Sequence, residues 1–379
     1  MRVQVVDPSA FTPPYDHALC AALARAGADV ELITSRFAYG SVAAPDGYAV
    51  REDFYRHARG AAGGRLRSLT KLAEHVPDML RYRGVARDAD VVHFQWLDVQ
   101  WLDRLLLPRR PLVLTAHDLL PREPRPGQVG AQRRLYEAVD ALVVHSEYGR
   151  AQLVQELGVD PRKVHVIHHG AFEHLSSLPP QPLDAELERV SGPVVLFFGL
   201  LRPYKGVDVL LEAWREVPAG AELWIVGRPR MDISALRAAA PPTVRFISRY
   251  VSDAELASYF RRADVVVLPY SRTERFDQSG VLATALAFAK PTVLSDVGGF
   301  SEVATTGAGL LVTPGDAGAL AAALSRLLDD EAQRTRMGHA AAAATAGPYS
   351  WDEAARRTLE VYRELTGTRD PAAPQSAPS

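Results

Sequence analysis

Phe197-Phe198-Gly199-Leu200-Leu201-Arg202-Pro203-Tyr204-Lys205-Gly206-Val207 joins a continuous apolar run to a helical pattern. The run, residues 194–198, reads as a strand buried on both faces. It ends in Gly199, where a missing side chain lets a ligand approach the backbone. Arg202 and Lys205 follow, three residues apart, then Gly206 and the helical pattern 207–217. A helix start offers free N–H groups and the positive end of its dipole. Arg and Lys add charge-assisted hydrogen bonds. Strand, glycine, cations and helix together describe an anion site that suits a diphosphate. Two solvated loop cations are the plainer reading, but their position between strand end and helix start argues against it.

Working outward, the same alternation fills the chain. Strand-like runs occur at 2–6, 29–34, 90–94, 112–116, 141–145 and 163–168, with helical patterns between them such as 15–26 and 149–157. A second series has strands at 194–198, 222–226, 244–247, 265–268, 292–294 and 308–312. Its helices fall at 207–217, 233–239, 253–263, 280–289, 317–328 and 331–346. Alternation of this kind means parallel sheets covered by helices on both faces. The expected fold class is α/β, two Rossmann-like doubly wound domains facing across a cleft, with ligands at the carboxyl ends of the strands.

The boundaries read as an N-terminal domain over 1–174, a linker over 175–192 and a second domain over 193–349. Pro179, Pro180, Pro182 and Gly192 mark the linker. A last helix over 350–365 has Ser350 as N-cap and Glu353 completing a capping box. The tail 366–379, with Pro371, Pro374 and Pro378, reads as disordered. At 379 residues the chain exceeds what one core fills. Its 47% apolar and 23% charged residues are those of a globular protein, and a net charge of −2 gives no argument for nucleic acid. The single cysteine, Cys20, leaves no internal disulfide or Cys-based zinc cluster and reads as core packing. No signal-type apolar region follows the first strand and no window reaches about 18 consecutive apolar residues, so the expected home is the cytoplasm.

A second anion site is expected at Asp277-Gln278-Ser279-Gly280-Val281, where Ser279 and Gly280 open a helix after a strand and loop. An ordinary serine N-cap is the alternative. Thr115-Ala116-His117-Asp118 ends a strand and points His117 into the crevice, placed to bond a substrate hydroxyl or carbonyl, with a structural histidine as the other reading. His93, Gln95 and Trp96 end the preceding strand and suit stacking on a sugar, with a packed edge tryptophan as the other reading. Asp16 and His17 stand at the first helix start, facing the same crevice; Asp16 could equally be an ordinary first-turn acid. That turn lacks G-x-G-x-x-G, which removes a nicotinamide or flavin fingerprint there. His165 and His169 lie on a strand and its exit, not one helix face, and no metal site is expected.

These segments together resemble the family 4 glycosyltransferases, retaining enzymes of the GT-B fold, over nearly the whole chain to about residue 365. The marks are Gly199…Arg202-x-x-Lys205-Gly206, Thr115-Ala116-His117-Asp118, Val166-Ile167-His168-His169-Gly170-Ala171, and Lys290-Pro291-Thr292-Val293-Leu294 followed by Gly298-Gly299-Phe300-Ser301-Glu302. The resemblance implies a nucleotide-diphosphate sugar as co-substrate, no other cofactor, and a hydroxyl acceptor on a saccharide, a lipid-linked glycan or a small metabolite. Implied donor contacts are Gly199, Arg202, Lys205, Asp277, Gln278, Ser279, Gly280 and Val281, with His117 on the donor sugar. Catalytic roles fall to His117, Arg202 and Lys205, acceptor contacts to Asp16, His17, Gln95 and Trp96. The last helix is expected to cross back onto the N-terminal domain.

One departure matters. The family's Glu-x7-Glu positions fall on Phe276 and Thr284 here, and both glutamates are missing. The nearest acids are Glu274 and Asp277; Asp277, Gln278 or backbone N–H groups are the expected replacements. The missing pair keeps a second reading open, a catalytically silent sugar-nucleotide-binding partner. A GT-B sugar-nucleotide epimerase or hydrolase would need a pair of acids that the sequence does not offer.

Between Arg56 and Arg87 stand eight basic residues against two acids, with Leu66, Leu69, Leu72, Val76 and Leu80 at helical spacing. The stretch reads as a cationic amphipathic helix. Its favoured reading is an ordinary domain helix with a solvated basic face; the other is peripheral contact with the inner face of a membrane or a lipid-phosphate acceptor.

Overall fold

The computed structural model describes residues 1–38, 40, 42, 44–60, 64–97, 99–121, 125–273 and 277–367. Two compact units result. Unit 1 is Met1–His168 with the chain from Trp351 onward, and unit 2 is His169–Ser350.

Unit 1 runs β1 (Arg2–Asp7), α1 (Pro13–Arg25), β2 (Asp29–Ser35), β3 (Ala49–Phe54), α2 (Arg65–Val85), β4 (Val91–Phe94), α3 (Gln100–Leu106), β5 (Leu112–Thr115), α4 (Gln128–Ala138), β6 (Ala141–Val144), α5 (Glu147–Ala151) and β7 (Val164–Val166). Its sheet is parallel throughout, in the order β3-β2-β1-β4-β5-β6-β7. Unit 2 begins with α6 (Glu173–Ser176) and α7 (Ala185–Glu188), then alternates β8 (Val194–Phe198), α8 (Val207–Trp214), β9 (Glu222–Val226), α9 (Ser234–Ala239), β10 (Val244–Ile247), α10 (Asp253–Arg262), β11 (Val265–Leu268), α11 (Gly280–Ala287), β12 (Thr292–Ser295), α12 (Phe300–Thr305), β13 (Gly309–Val312), α13 (Ala317–Asp329) and α14 (Glu331–Ala346). The strand order β10-β9-β8-β11-β12-β13 is again parallel. Each order reverses beside its first strand, β1 in one sheet and β8 in the other, which is where a doubly wound sheet opens a crevice.

Local signals set the element ends. Proline at the first two positions starts α1. Ser252 and Glu255 form a full capping box on α10. α15 (Trp351–Thr366) buries Trp351, Ala354, Ala355, Thr358, Leu359 and Tyr362 at helical spacing. It packs on α1 of unit 1, where the Trp351 ring meets Tyr15 edge-on at 4.9 Å.

Three expectations differ from what is observed. β3 was not expected because Ala49-Val50-Arg51-Glu52-Asp53-Phe54 carries three charges. It is an edge strand, and Arg51 pairs with Glu31 and Asp53. The expected linker 175–192 is part of unit 2: Leu175 and Leu187 are buried, and Leu183 and Val190 pack on its core. Arg261 bonds the carbonyls of Ser176 and Leu178, and Arg262 those of Val190 and Gly192, so the prolines shape a packed segment. The helical pattern 149–157 begins earlier, because Ser146 caps α5, and continues from Gln152 to Glu156 as a π turn. The tail from 368 onward lies outside the described residues. Among the described residues no helix is long and apolar enough to cross a membrane.

Backbone contact at Gly227 joins the ends of β8 and β9. A Cβ on Gly227 would lie 2.0 Å from the Gly199 carbonyl oxygen, at a φ of +145°. Gly227→Ala must therefore separate the two segments. A drop of several degrees in Tm is expected by thermal unfolding, the effect of about 1–3 kcal/mol of backbone strain.

Candidate active site

In unit 2 the loop after β8 carries the two expected cations. Arg202 is half-buried, and its Nε is buried without a hydrogen-bond partner among the described residues. Lys205 sits in a 3-10 turn whose N–H bonds the Arg202 carbonyl at 3.0 Å. Lys205 is buried, with Nζ donating to the Tyr270 hydroxyl at 2.8 Å. The Tyr270 hydroxyl in turn lies 3.2 Å from Ser279 Oγ, which accepts the Val281 N–H at the start of α11. Tyr270 thus ties the two expected anion elements into one site. It was missed because a tyrosine after a strand carries no signal of its own.

Glycines make the site possible. Gly199 has φ +114°, and a Cβ there would press on Lys205 Nζ at 3.0 Å and on Val281 at 3.3 Å. Gly206, at φ +66°, lets the turn seat against the Pro269 carbonyl. Asp277 is fully buried, and its carbonyl accepts the Gly299 N–H at 2.9 Å. Gln278 Oε1 accepts the Ser279 N–H at 3.0 Å. Glu274 and Phe276 lie outside the described residues. Thr284 is buried and spends its hydroxyl on the Gly280 carbonyl of its own helix.

In unit 1 a row of polar rings follows the strand ends. His145 Nδ1 faces the Ile167 carbonyl at 2.9 Å and so carries the proton. Its bare Nε2 then accepts from His117 Nδ1 at 3.4 Å. His117 Nε2 is 3.0 Å from Gln95 Oε1, and Gln95 Nε2 is buried without a partner. Turning the Gln95 amide over lets Nε2 donate to a neutral His117 and leaves no buried charge. The Trp96 ring stacks on His117 at 5.0 Å and 15°, and its Nε1 donates to Thr12 Oγ1 at 2.9 Å. Phe11, 56% exposed, lies 5.4 Å from Trp96. The surface offered to a ligand is therefore Phe11, Trp96 and His117, a platform suited to a sugar or polyol ring.

Four expected contacts are corrected. Asp16 and His17 are buried and bonded inside the unit, as are Gln95 and His93. His17 Nδ1 lies 2.5 Å from the Tyr48 hydroxyl. His93 bonds Tyr362 and Thr115 through its two nitrogens, and burial pushes its pKa down to about 3, so it is a neutral structural group. Asp7, at the end of β1, accepts the N–H groups of Ser9, Phe11 and Thr12. Burial, then the charge of Asp7, hold the Asp16 pKa well above the carboxylate range; Asp16 keeps its proton and donates it to Asp7. The pair shapes the loop that carries Phe11 and Thr12.

An open pocket of about 540 Å³ lies beyond β2 and β3, bordered by Arg36, Arg56, Arg67, Glu52 and Tyr55. Arg56 pairs with Asp53, whereas Arg36 has no partner among the described residues. Tyr55 has φ +52° and is held by a buried relay: its hydroxyl meets His75 Nδ1 at 2.8 Å, and His75 Nε2 meets Asp103 at 2.6 Å. The pocket as a whole was not expected, although Arg56 and Arg67 belong to the basic stretch read in the sequence, because it forms only where the ends of two strands meet a helix. Among the described residues no three His, Cys, Asp or Glu side chains could hold a metal ion.

Residues 15–171 match the profile described as Glycosyltransferase Family 4, and residues 192–330 that of Glycosyl transferases group 1. A D-inositol 3-phosphate glycosyltransferase of Kineococcus radiotolerans is 32% identical over 93% of this chain and 89% of its own length. The chain belongs to the family 4 glycosyltransferases. The enzyme of the same name from Mycobacterium tuberculosis is 30% identical over 91% of this chain and 77% of its own. Sucrose-phosphate synthase of Thermosynechococcus elongatus shares the fold at a TM-score of 0.73 and 20% identity, over 97% of this chain and all (100%) of that one. Anabaena HepE, solved with UDP-glucose, gives a TM-score of 0.70 at 18% identity, over 96% and 100%. These neighbours are GT-B glycosyltransferases, and the present enzyme has their two parallel-sheet architecture.

In this glycosyltransferase the raised Asp16 pKa has a definite sign. The folded state favours the neutral acid, so the stability it contributes is complete at low pH and lost as pH rises above the carboxylate range. Asp16→Asn keeps a donor to Asp7 without the titration. Denaturant midpoints across a pH series should show the variant gaining on the parent as pH rises, with the least difference at acid pH.

Proposed function

We propose that the enzyme is a retaining glycosyltransferase that moves a sugar from a nucleoside-diphosphate donor to a hydroxyl of a small phosphorylated polyol. The observation that carries the donor assignment is the buried Arg202 Nε, unpartnered among the described residues, in the turn that also buries Lys205 over Gly199. A buried guanidinium nitrogen without a partner is costly unless an anion completes it. HepE, solved with UDP and with UDP-glucose, supports a nucleotide sugar as that anion.

The chemistry follows. As the bond from the anomeric carbon to the phosphate oxygen breaks, negative charge grows on the diphosphate, and Arg202, Lys205 and the α11 N-terminus are placed to stabilise it. The acceptor hydroxyl adds from the face the leaving group vacates, and its proton passes to the departing phosphate oxygen. Configuration is kept, and no protein nucleophile is needed. The Gly280 N–H at the start of α11 serves where the family's first glutamate is missing, while Gln278 and Ser279 hold the neighbouring N–H groups of Ser279 and Val281. His117, its two nitrogens held by His145 and Gln95, contributes its ring to the platform on which the sugar or polyol rests.

Two features support a phosphorylated polyol acceptor. The relatives carry D-inositol 3-phosphate in their name. Arg36, unpaired in a pocket it shares with Arg56 and Arg67, fits a phosphate. The reaction belongs in the cytoplasm, where the donor is made.

Incubation with UDP-, GDP- and ADP-sugars and inositol phosphates should release nucleoside diphosphate only when donor and acceptor are both present. Proton NMR of the product should show the donor's anomeric configuration. Donor binding with no release across all acceptors would instead make the chain a silent partner. Lys205→Ala should lower kcat by about two to three orders of magnitude, as loss of one charge-stabilising donor does, while circular dichroism and Tm report an intact fold. Arg36→Ala should raise KM for the phosphorylated acceptor about 10- to 100-fold, the worth of one charged hydrogen bond, with the donor KM unchanged. A retained acceptor KM would remove the phosphate from this pocket.

A further inference from the structure

We propose that the outer face of α2 and α3 is a docking surface for an anionic phospholipid bilayer. α2 turns Met79 and Tyr82 into the core of unit 1. Leu66, Leu69 and Leu80 line the opposite face and, with Leu72 nearer the core side, are between 51% and 65% exposed. An ordinary domain helix buries its leucines, so the expectation of a merely solvated basic face does not describe this one. α3 lies beside α2, joined to it by the buried bond from His75 to Asp103, and sends Leu106 into the same core. Its outer side exposes Trp101 and Leu105 at 63% and 62%. Six large apolar side chains on one helical layer exceed the scattered exposure normal for a protein surface.

The charge beside them selects the partner. Where α2 ends and the chain enters β5, an open pocket of about 400 Å³ is bordered by Arg83, Arg87, Arg109 and Arg110, with Leu80 and Pro108 at its apolar edge and no carboxylate. Arg110 bonds the Arg87 carbonyl; the guanidinium groups of Arg83, Arg87 and Arg109 have no partner among the described residues. The pocket sits where strands β4 and β5 begin, whereas His117 follows the end of β5, so it is separate from the site already described. Guanidinium groups clustered without acids call for phosphates. Leucines and a tryptophan beside them call for hydrocarbon. An anionic bilayer surface presents both, phosphate outside and acyl chain beneath, along the roughly 31 Å that a 21-residue helix spans. A second copy of the chain would bring the same arginines and not their counter-charge. The inference does not depend on which sugar or acceptor the enzyme uses.

The full-length protein is sedimented with vesicles of phosphatidylcholine alone and of phosphatidylcholine mixed with phosphatidylglycerol. It should pellet with the mixed vesicles, at least about tenfold less with phosphatidylcholine alone, and be released by added salt. Leu69→Ser with Leu80→Ser, and separately Arg83→Glu with Arg109→Glu, should each lower binding about tenfold or more. Both should leave Tm and turnover of soluble substrates as they were. Parent protein that stays in the supernatant overturns the proposal. So do variants that bind like the parent, or a concentration-dependent dimer, dispersed by Leu69→Ser with Leu80→Ser, that ignores vesicles. In each case, turnover in solution still reports separately on glycosyl transfer.

Discussion

Backbone touching backbone is the constraint on which the donor site depends. Gly227 lies against the carbonyl of Gly199, and Gly206 against that of Pro269, at distances a side chain would forbid. These contacts bring the turns after β8, β9 and β11 together. Only then can one tyrosine, Tyr270, reach both Lys205 and Ser279. The cations do not create the site; they occupy a place that these two glycine contacts hold open. A lysine so enclosed has little freedom left, and pre-organisation of that kind is what lets a charge act at the moment a leaving group departs.

Unit 1 solves a different problem. Its strand ends carry several polar rings, and most are consumed by each other. His93, His145 and Gln95 are buried, and each is used to orient a neighbour. Asp7 and Asp16 share a proton to hold the loop after β1. What remains for a ligand is small: the Phe11 and Trp96 rings and the half-buried His117. Burying a carboxyl pair under a loop costs stability near neutral pH, and it yields a loop whose shape is set before a ligand arrives.

In the proposed donor site, the absent glutamates leave Arg202, Lys205 and the start of α11 as the groups that face the diphosphate. Thr284 bonds within its own helix, so no carboxylate stands ready there. The outer face of unit 1 makes a separate departure from the ordinary: α2 turns Met79 and Tyr82 to the core and shows leucines to its surroundings. Neither feature disturbs the fold, because neither touches the alternation of buried strands and covering helices.

That alternation was legible in the residues. Runs such as Val194–Phe198 and Val265–Leu268 are apolar without interruption, and parallel strands buried on both faces must read so. The turn that carries Arg202 and Lys205 was legible too, because glycine, arginine, lysine and glycine follow one another within eight residues, Gly199 to Gly206. β3 was hidden by its charges, which an edge strand tolerates. The segment with Pro179, Pro180 and Pro182 looked free until Arg261 and Arg262 were seen to hold its carbonyls. Asp16 and His17 were placed at the right loop with the wrong exposure, since a helix start does not say which way its first turn faces the core. By itself, then, the order of residues determined the parallel α/β architecture, the family and the glycine-framed turn that carries Arg202 and Lys205, all of which are local patterns. Tertiary structure alone decided that Tyr270 joins the two expected anion elements, that Arg36 is unpaired among the described residues, and that leucines of α2 face outward. Those facts rest on contacts between residues distant in the chain, and no periodicity records them.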